Sequence, residues 1–167
     1  GKEYSVELML KPTDNINMSV RTTKEERPGS MQWVGVVEDE NGINIIYSNV
    51  KRKQTNTELR LNIAFSSKMT FEAYYQPFTV NMDYKDYNRL DEEKSLKVSP
   101  YPYSGNKDFQ IDNQVGTFVF RWEYLPGSLI YAVYNLNNNN YYSAEDSEWS
   151  NSKSNSLFLK FDYFFQL

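Results

Sequence analysis

The last eleven residues, Leu157 to Leu167, alternate so strictly that few structures can hold them. Leu157, Leu159, Phe161, Tyr163, Phe165 and Leu167 share one register, and all are large and apolar or aromatic. The other register holds Phe158, Lys160, Asp162, Phe164 and Gln166. A strand points alternate side chains to opposite faces. One face is therefore wholly apolar, while the other carries a charge pair. In water, such a strand at a chain terminus is an aggregation hazard. At the end of an outer-membrane barrel it is a closing strand, with lipid on one face and the lumen on the other.

Composition excludes several chemistries. The chain has 167 residues with 40% hydrophobic and 24% charged, which suits a single folded domain over 1–167. There is no Cys and no His, so disulfides, thiolate nucleophiles, thiolate zinc sites and His-dependent triads are out of reach. A net charge of −4 offers no basic footprint for nucleic acid. Fourteen Tyr, ten Phe and three Trp favour places where one side is apolar and the other wet. No apolar run approaches the length of a membrane helix. Barrel strands need none, because alternation hides their hydrophobicity, and a mean hydropathy of −0.71 is compatible with them.

Period two recurs along the chain. Tyr4, Val6, Leu8 and Leu10 alternate with Glu3, Ser5, Glu7 and Met9, a turn follows at Pro12 to Asn15, and Ile16, Met18 and Val20 resume. Lys24 to Gly42 reads as a longer connection, with Met31 to Val37 forming a strand of its own or extending a neighbour. A strand from about Ile45 to Phe65 follows, then a turn at Ser66 to Lys68 and a strand from Met69 towards Tyr84. Lys85 to Asn113 reads as a long loop. Phe118, Phe120, Trp122 and Tyr124 then alternate with Val119, Arg121 and Glu123, and Pro126-Gly127 makes a type II turn. Leu129 to Leu136 is the return strand, its two registers about equally apolar, and Asn137 to Asn155 reads as a polar loop.

Short turns and long connections alternate, as on barrels with periplasmic turns and outer loops. About seven crossing strands are expected, an odd number where bacterial single-chain barrels have even counts. The expected fold is all-β, an antiparallel transmembrane β-barrel with about 7–9 strands present. The odd count, and a first residue Gly1 without Met or signal peptide, predict the C-terminal part of a larger barrel.

The stretch Phe120, Arg121, Trp122, Glu123, Tyr124, Leu125, Pro126, Gly127, Ser128, Leu129, Ile130, Tyr131 resembles a recurrent "LRWEYRPGSTLFLVW" segment. That segment lies near the C-terminus of a family of Gram-negative outer-membrane proteins of unassigned function. Leu59 to Phe65, followed by Phe71 to Phe78, is similar to the same family's "LRLNYTFTPNLSLQLYAQPF". Tyr47 to Asn56 sits where the family has another stretch and departs from it in charge. Leu125 stands where Arg is usual, and Leu167 where most barrels end in Phe. Long members carry an N-terminal domain like the family-nine carbohydrate-binding modules, absent from this sequence. The resemblance implies a barrel end and glycan-related work at the cell surface.

In the barrel reading, Glu58, Arg60, Glu72, Arg121, Glu123, Lys160 and Asp162 face the lumen. They form a salt-bridged or watered interior, or a lining that selects a solute. Leu59, Leu61, Ile63, Phe65, Phe118, Phe120, Trp122, Tyr124, Leu159, Phe161, Tyr163, Phe165 and Leu167 face lipid, the last-turn aromatics as an interfacial girdle. The acidic clusters Glu38 to Glu40, Asp91 to Glu93 and Glu145 to Glu148 lack the spacing of a calcium loop and read as solvated loops. Tyr101, Tyr103, Tyr141 and Tyr142 lie in long connections, where an outside ligand or partner is in reach. No cofactor, metal or enzyme activity is expected. The expected partners are outer-membrane lipid, lipopolysaccharide and strands of the same or another outer-membrane chain, in the bacterial outer membrane with a periplasmic C-terminus. The competing expectation is a soluble β-sandwich that binds glycans through Tyr and Trp.

Overall fold

Strand follows strand in antiparallel pairs, because each alternating segment ends in a turn that sends the chain back alongside itself. The computed structural model describes residues 1–40, 42–92 and 97–165. Nine strands are present among them: β1 Lys2–Thr13, β2 Ile16–Asp39, β3 Gly42–Ser66, β4 Met69–Leu90, β5 Val98–Pro100, β6 Phe109–Leu125, β7 Ser128–Ser143, β8 Glu148–Lys153 and β9 Ser156–Asp162. They form one sheet in the order β1, β2, β3, β4, β6, β7, β8, with β5 on the end of β4 and β9 also on β7. Strands β8 and β9 lie end to end against β7, pairing Asn138 to Ser143 and Leu129 to Asn135 respectively. The sheet thus has seven ribbons among the described residues, the number expected, with the last ribbon interrupted at residues 154–155.

Closure into a barrel is not found. Among the described residues strand β1 pairs with β2 alone, and β8 and β9 with β7 alone, so both edges of the sheet are open. The smallest transmembrane barrels have about eight strands, and the seven ribbons among the described residues fall short of that.

Three segments expected as connections are strand instead. Strand β2 runs unbroken through Lys24 to Asp39 and pairs with β3 up to Asp39 opposite Gly42. Pro28-Gly29, which interrupts the alternation in sequence, falls in a register shift between Arg27 and Ser30. A bulge admits a proline that a regular central strand would reject. The expected loop at Lys85 to Asn113 contains the end of β4, all of β5 and the start of β6. The Asn-rich run belongs to β7, which turns into β8 at residues 144–147. The short turns fall where expected. At the turn between β6 and β7, Leu125 pairs with Ser128 and Gly127 has φ +76°, the left-handed value that a type II turn requires.

Strands β2 and β3 have 24 and 25 residues, roughly 80 Å of extended chain. A transmembrane strand needs about 9–11. More than half of each ribbon therefore lies outside whatever the apolar end contacts.

Candidate functional site

The site is the pair of surfaces that the sheet presents, and cross-strand register decides what each surface carries. Residues opposite one another in adjacent antiparallel strands point to the same side. On the Leu59 side, one row holds Ile16, Ile63, Phe71, Phe120, Ala132 and Leu159. The next holds Leu10, Met18, Leu61, Ala73, Phe118, Tyr134 and Leu157. A third holds Leu8, Val20, Leu59, Tyr75, Gly116 and Leu136. Below the first row lie Met69, Trp122, Ile130 and Phe161. No charged residue interrupts these rows. The two registers of Leu129 to Leu136, equal in sequence, are now told apart: Ile130, Ala132, Tyr134 and Leu136 belong to the apolar surface.

The apolar surface stops at nearly the same height on β2 to β7. Beyond Val20, Leu59, Gly116 and Leu136, the same side continues with Thr22, Thr57, Gln114 and Asn138, and then Lys24, Thr55, Thr79, Asp112 and Asn140. Edge strand β1 carries Val6 and Tyr4 further. From Tyr124 to Gly116 the band measures roughly 26 Å along β6, or about 20 Å after the usual barrel tilt. At the foot of the band the aromatics gather. Trp122 and Tyr124 meet edge to face at 6.2 Å, as do Tyr163 and Phe165 at 4.6 Å. These side chains are far from hidden: Leu159 is 59% and Phe161 67% exposed.

The Arg60 side of the same stretch is polar on β1 to β4. Glu58, Arg60, Glu72, Arg121, Glu123, Lys160 and Asp162 all fall on it by register. Arg21 Nη2 donates to both carboxylate oxygens of Glu7 at 3.0 Å. Arg60 Nη2 lies 3.6 Å from Glu58, and its guanidinium sits 4.6 Å from the Tyr74 ring centroid. The Tyr74 hydroxyl donates to Gln76, whose amide donates to Asn56. Lys160 contacts Asp162 at 2.8 Å, and Glu123 accepts the Gly127 backbone N–H at 2.9 Å. Hollows of the sheet open on this side, one lined by Glu7, Ser19, Arg21, Glu58 and Arg60. On β6 to β9 the same side is mixed, with Val119, Val133 and Phe158 in one row.

Above the band the polarity inverts. The buried apolar residues Ile46 (0% exposed), Val50 (2%) and Val80 (6%) all lie on the Arg60 side. Phe109, Ile111, Tyr84 and Tyr141 join them, with ring centroids at 6.3 Å for Tyr84 and Phe109 and 5.7 Å for Phe109 and Tyr141. Burial pushes the Tyr84 and Tyr87 hydroxyls up from their ordinary pKa. The chain between β5 and β6 is tied down here. Tyr103 stacks on Tyr87 at 4.6 Å, the Tyr101 hydroxyl donates to Asp39 at 3.1 Å, and the Lys107 N–H donates to the Tyr87 hydroxyl. At the far tip of β2 and β3 the Leu59 side turns apolar again, with Trp33 and Ile43 exposed. Sequence reasoning missed this small upper core. Its signal was the alternation of Ile46, Ser48 and Val50 in the register opposite to Leu59, Leu61 and Ile63.

A family model described as "Domain of unknown function (DUF5916)" matches residues 1–166. The chain belongs to that family. The match covers all seven ribbons of this DUF5916 domain together, the inverted upper half included. No curated protein and no solved structure matches the chain.

The remaining sequence candidates are dispersed. Phe65 and Tyr124 continue the Leu59-side alternation next to register shifts, and Tyr163 and Phe165 follow the end of β9. Leu167 lies outside the described residues, as does Glu93. Of the acidic clusters, Asp39 takes Tyr101, Asp91 accepts the Ser99 hydroxyl at 2.6 Å, and Glu145 pairs with Lys107. Among the described residues no three acidic groups converge on a metal site. Tyr142 contacts Trp149 at 5.3 Å on the Leu59 side, apart from Tyr101 and Tyr103.

Proposed function

We propose that this chain is a segment of a transmembrane β-barrel in a bacterial outer membrane, with an anchoring, structural or solute-conducting role at the cell surface. The single observation that carries this reading is the apolar band. It crosses every ribbon and ends at nearly one height on β2 to β7, and just above it the buried apolar side chains lie on the opposite face. A water-soluble sandwich keeps its apolar face on one side from end to end, because the core lies there throughout. A ribbon that passes from lipid into water does not. In lipid it turns apolar groups outwards, and in water it turns them inwards. The long upper arms stand on the outside, the short turns and the C-terminus in the periplasm.

The open edges at β1 and at β8 with β9 support completion by further strands, from the same polypeptide or another outer-membrane chain. In hydrocarbon an unpaired edge leaves every second backbone N–H and C=O unsatisfied, at several kcal/mol each. The charged ladder on the Arg60 side then lines the interior. Family-level glycan-related work is an association and rests on no site seen here.

The native tryptophans provide the test. Variants keeping one Trp each, the others changed to Phe, are reconstituted with lipids brominated along the acyl chains. Trp122 emission is quenched, and Trp149 emission is not. A compact, water-soluble chain whose Trp122 ignores brominated lipid would support the soluble glycan-binding sandwich and end this reading.

A further inference from the structure

Just above the apolar band, the Leu59 side of β1 to β3 carries a patch of lysines. Lys2 and Lys53 lie opposite Glu26 on its two flanks, and Lys24 lies one row nearer the band. Lys51 lies one row further away and contacts Glu26 at 2.6 Å. That contact occupies Glu26, and among the described residues no ion pair engages Lys2, Lys24 or Lys53, all of them exposed. Asp83, opposite Lys51, is the other acid of the patch on this side. The same two rows on β4, β6 and β7 carry Thr79, Asn81, Gln110, Asp112, Asn140 and Tyr142, without a cation. On a chain of net charge −4, the cations of these two rows are thus confined to three adjacent ribbons, while Lys85 on β4 and Lys153 on β8 stand singly on the same side.

Its height is the second observation. Lys24 stands four residues beyond Val20, roughly 13 Å along β2, and a lysine stem can lay its methylenes back towards apolar surface while its ammonium stays in water. Two rows beneath Lys24, past Thr22, are the exposed apolar side chains Leu8 and Val20, with Leu59 beside them. Anion-binding ammonium groups above an apolar wall match one chemistry, an acylated lipid whose headgroup bears phosphate.

The geometry points to a binding site for a phosphate-bearing lipid headgroup on the Leu59 side of β1 to β3. Lys2, Lys24 and Lys53 hold the phosphates, and Leu8, Val20 and Leu59 lie along the acyl chains. This rests on the membrane reading proposed above. Each lysine near an anionic lipid surface contributes a factor of about five in affinity, weakening as salt rises.

The test embeds the protein, as the full-length polypeptide or complex that completes its sheet edges, in phosphatidylcholine vesicles and titrates lipid A, its chemically dephosphorylated form, and inorganic phosphate. Wild type takes up lipid A in preference to the dephosphorylated lipid, and inorganic phosphate does not compete. The triple variant K2Q/K24Q/K53Q enters the vesicles equally well and loses roughly 100-fold in that preference, three factors of about five. Lys153→Gln, a single lysine on β8 paired with Asn138, loses at most one such factor. Three results overturn the site: wild type that does not discriminate, a triple variant that binds like wild type, or inorganic phosphate that competes. In those cases vesicle entry still stands, and with it the membrane reading. A wild type that never enters the vesicles overturns both.

Discussion

Leucine 61 offers the sharpest measurement of what touches the Leu59 side. It sits in the second row of the band, flanked by Met18 and Ala73. One row is two residues, roughly 6.6 Å along a strand, or about 5 Å along the membrane normal at barrel tilt. Leu61 is thus about 5 Å below the top row at Leu59 and about 15 Å above the level of Tyr124, inside the band and nearer its upper edge. An arginine on the lipid face near the midplane costs about 2–4 kcal/mol, and near the interface about 0–1. Leu61→Arg is therefore expected to cost an intermediate amount, about 1–3 kcal/mol, in vesicles, and Thr55→Arg, on the same side but above the band, less than about 1. Urea titration of the vesicle-embedded protein reads both. Thinner acyl chains bring the interface towards Leu61 and shrink its cost, whereas a buried sandwich core is indifferent to lipid length. Equal costs at 55 and 61, or a cost at 61 that ignores bilayer thickness, would refute the argument.

Two further outcomes follow from local geometry. Gly127→Ala forces a side chain into φ +76° and brings its Cβ to 3.1 Å from Phe164, so the β6–β7 turn loses about 1–3 kcal/mol, read by denaturation. The Lys51 hydrogen bond and charge hold the Glu26 carboxyl below its ordinary pKa, helped by Lys53 and Lys2, while Glu26 and then Asp83 hold Lys51 above its own. A lowered acid pKa contributes stability that is lost as pH falls through the folded value, and a raised lysine pKa contributes stability that is lost as pH rises through the folded value. Amide protection in the β2–β3 arm, taken relative to the intrinsic exchange rate at each pH, is thus greatest between the ordinary carboxylate and ammonium ranges, and it fades in high salt because the pair is exposed.

Alternation made the lower half of the sheet legible. Leu157 to Phe161 and Leu59 to Phe65 repeat large apolar residues without a miss, and the turn at Pro126-Gly127 announces itself by backbone chemistry. The upper arms were hidden. Glu25-Glu26-Arg27-Pro28-Gly29 looks like a connection because charge and Pro-Gly are rare in strands, yet a bulge absorbs Pro28 and cross-strand partners such as Lys51 satisfy the charge. Asn137 to Asn140 have poor strand propensity and are held by pairing with β6 and β8 on either side. Period two is the same whether a strand has one neighbour or two, so only the odd strand count hinted that this chain leaves its sheet open.

The change of side halfway up the ribbons bears on how the chain finds its alignment. An evenly alternating strand punishes a slip of one residue, which exchanges its faces, but a slip of two restores every face and goes unnoticed. Here a two-residue slip of β3 would carry Thr57 down among the leucines or lift Leu59 out among the threonines and lysines. The boundary works as a ruler mark, and the molecule can count rows as well as tell front from back.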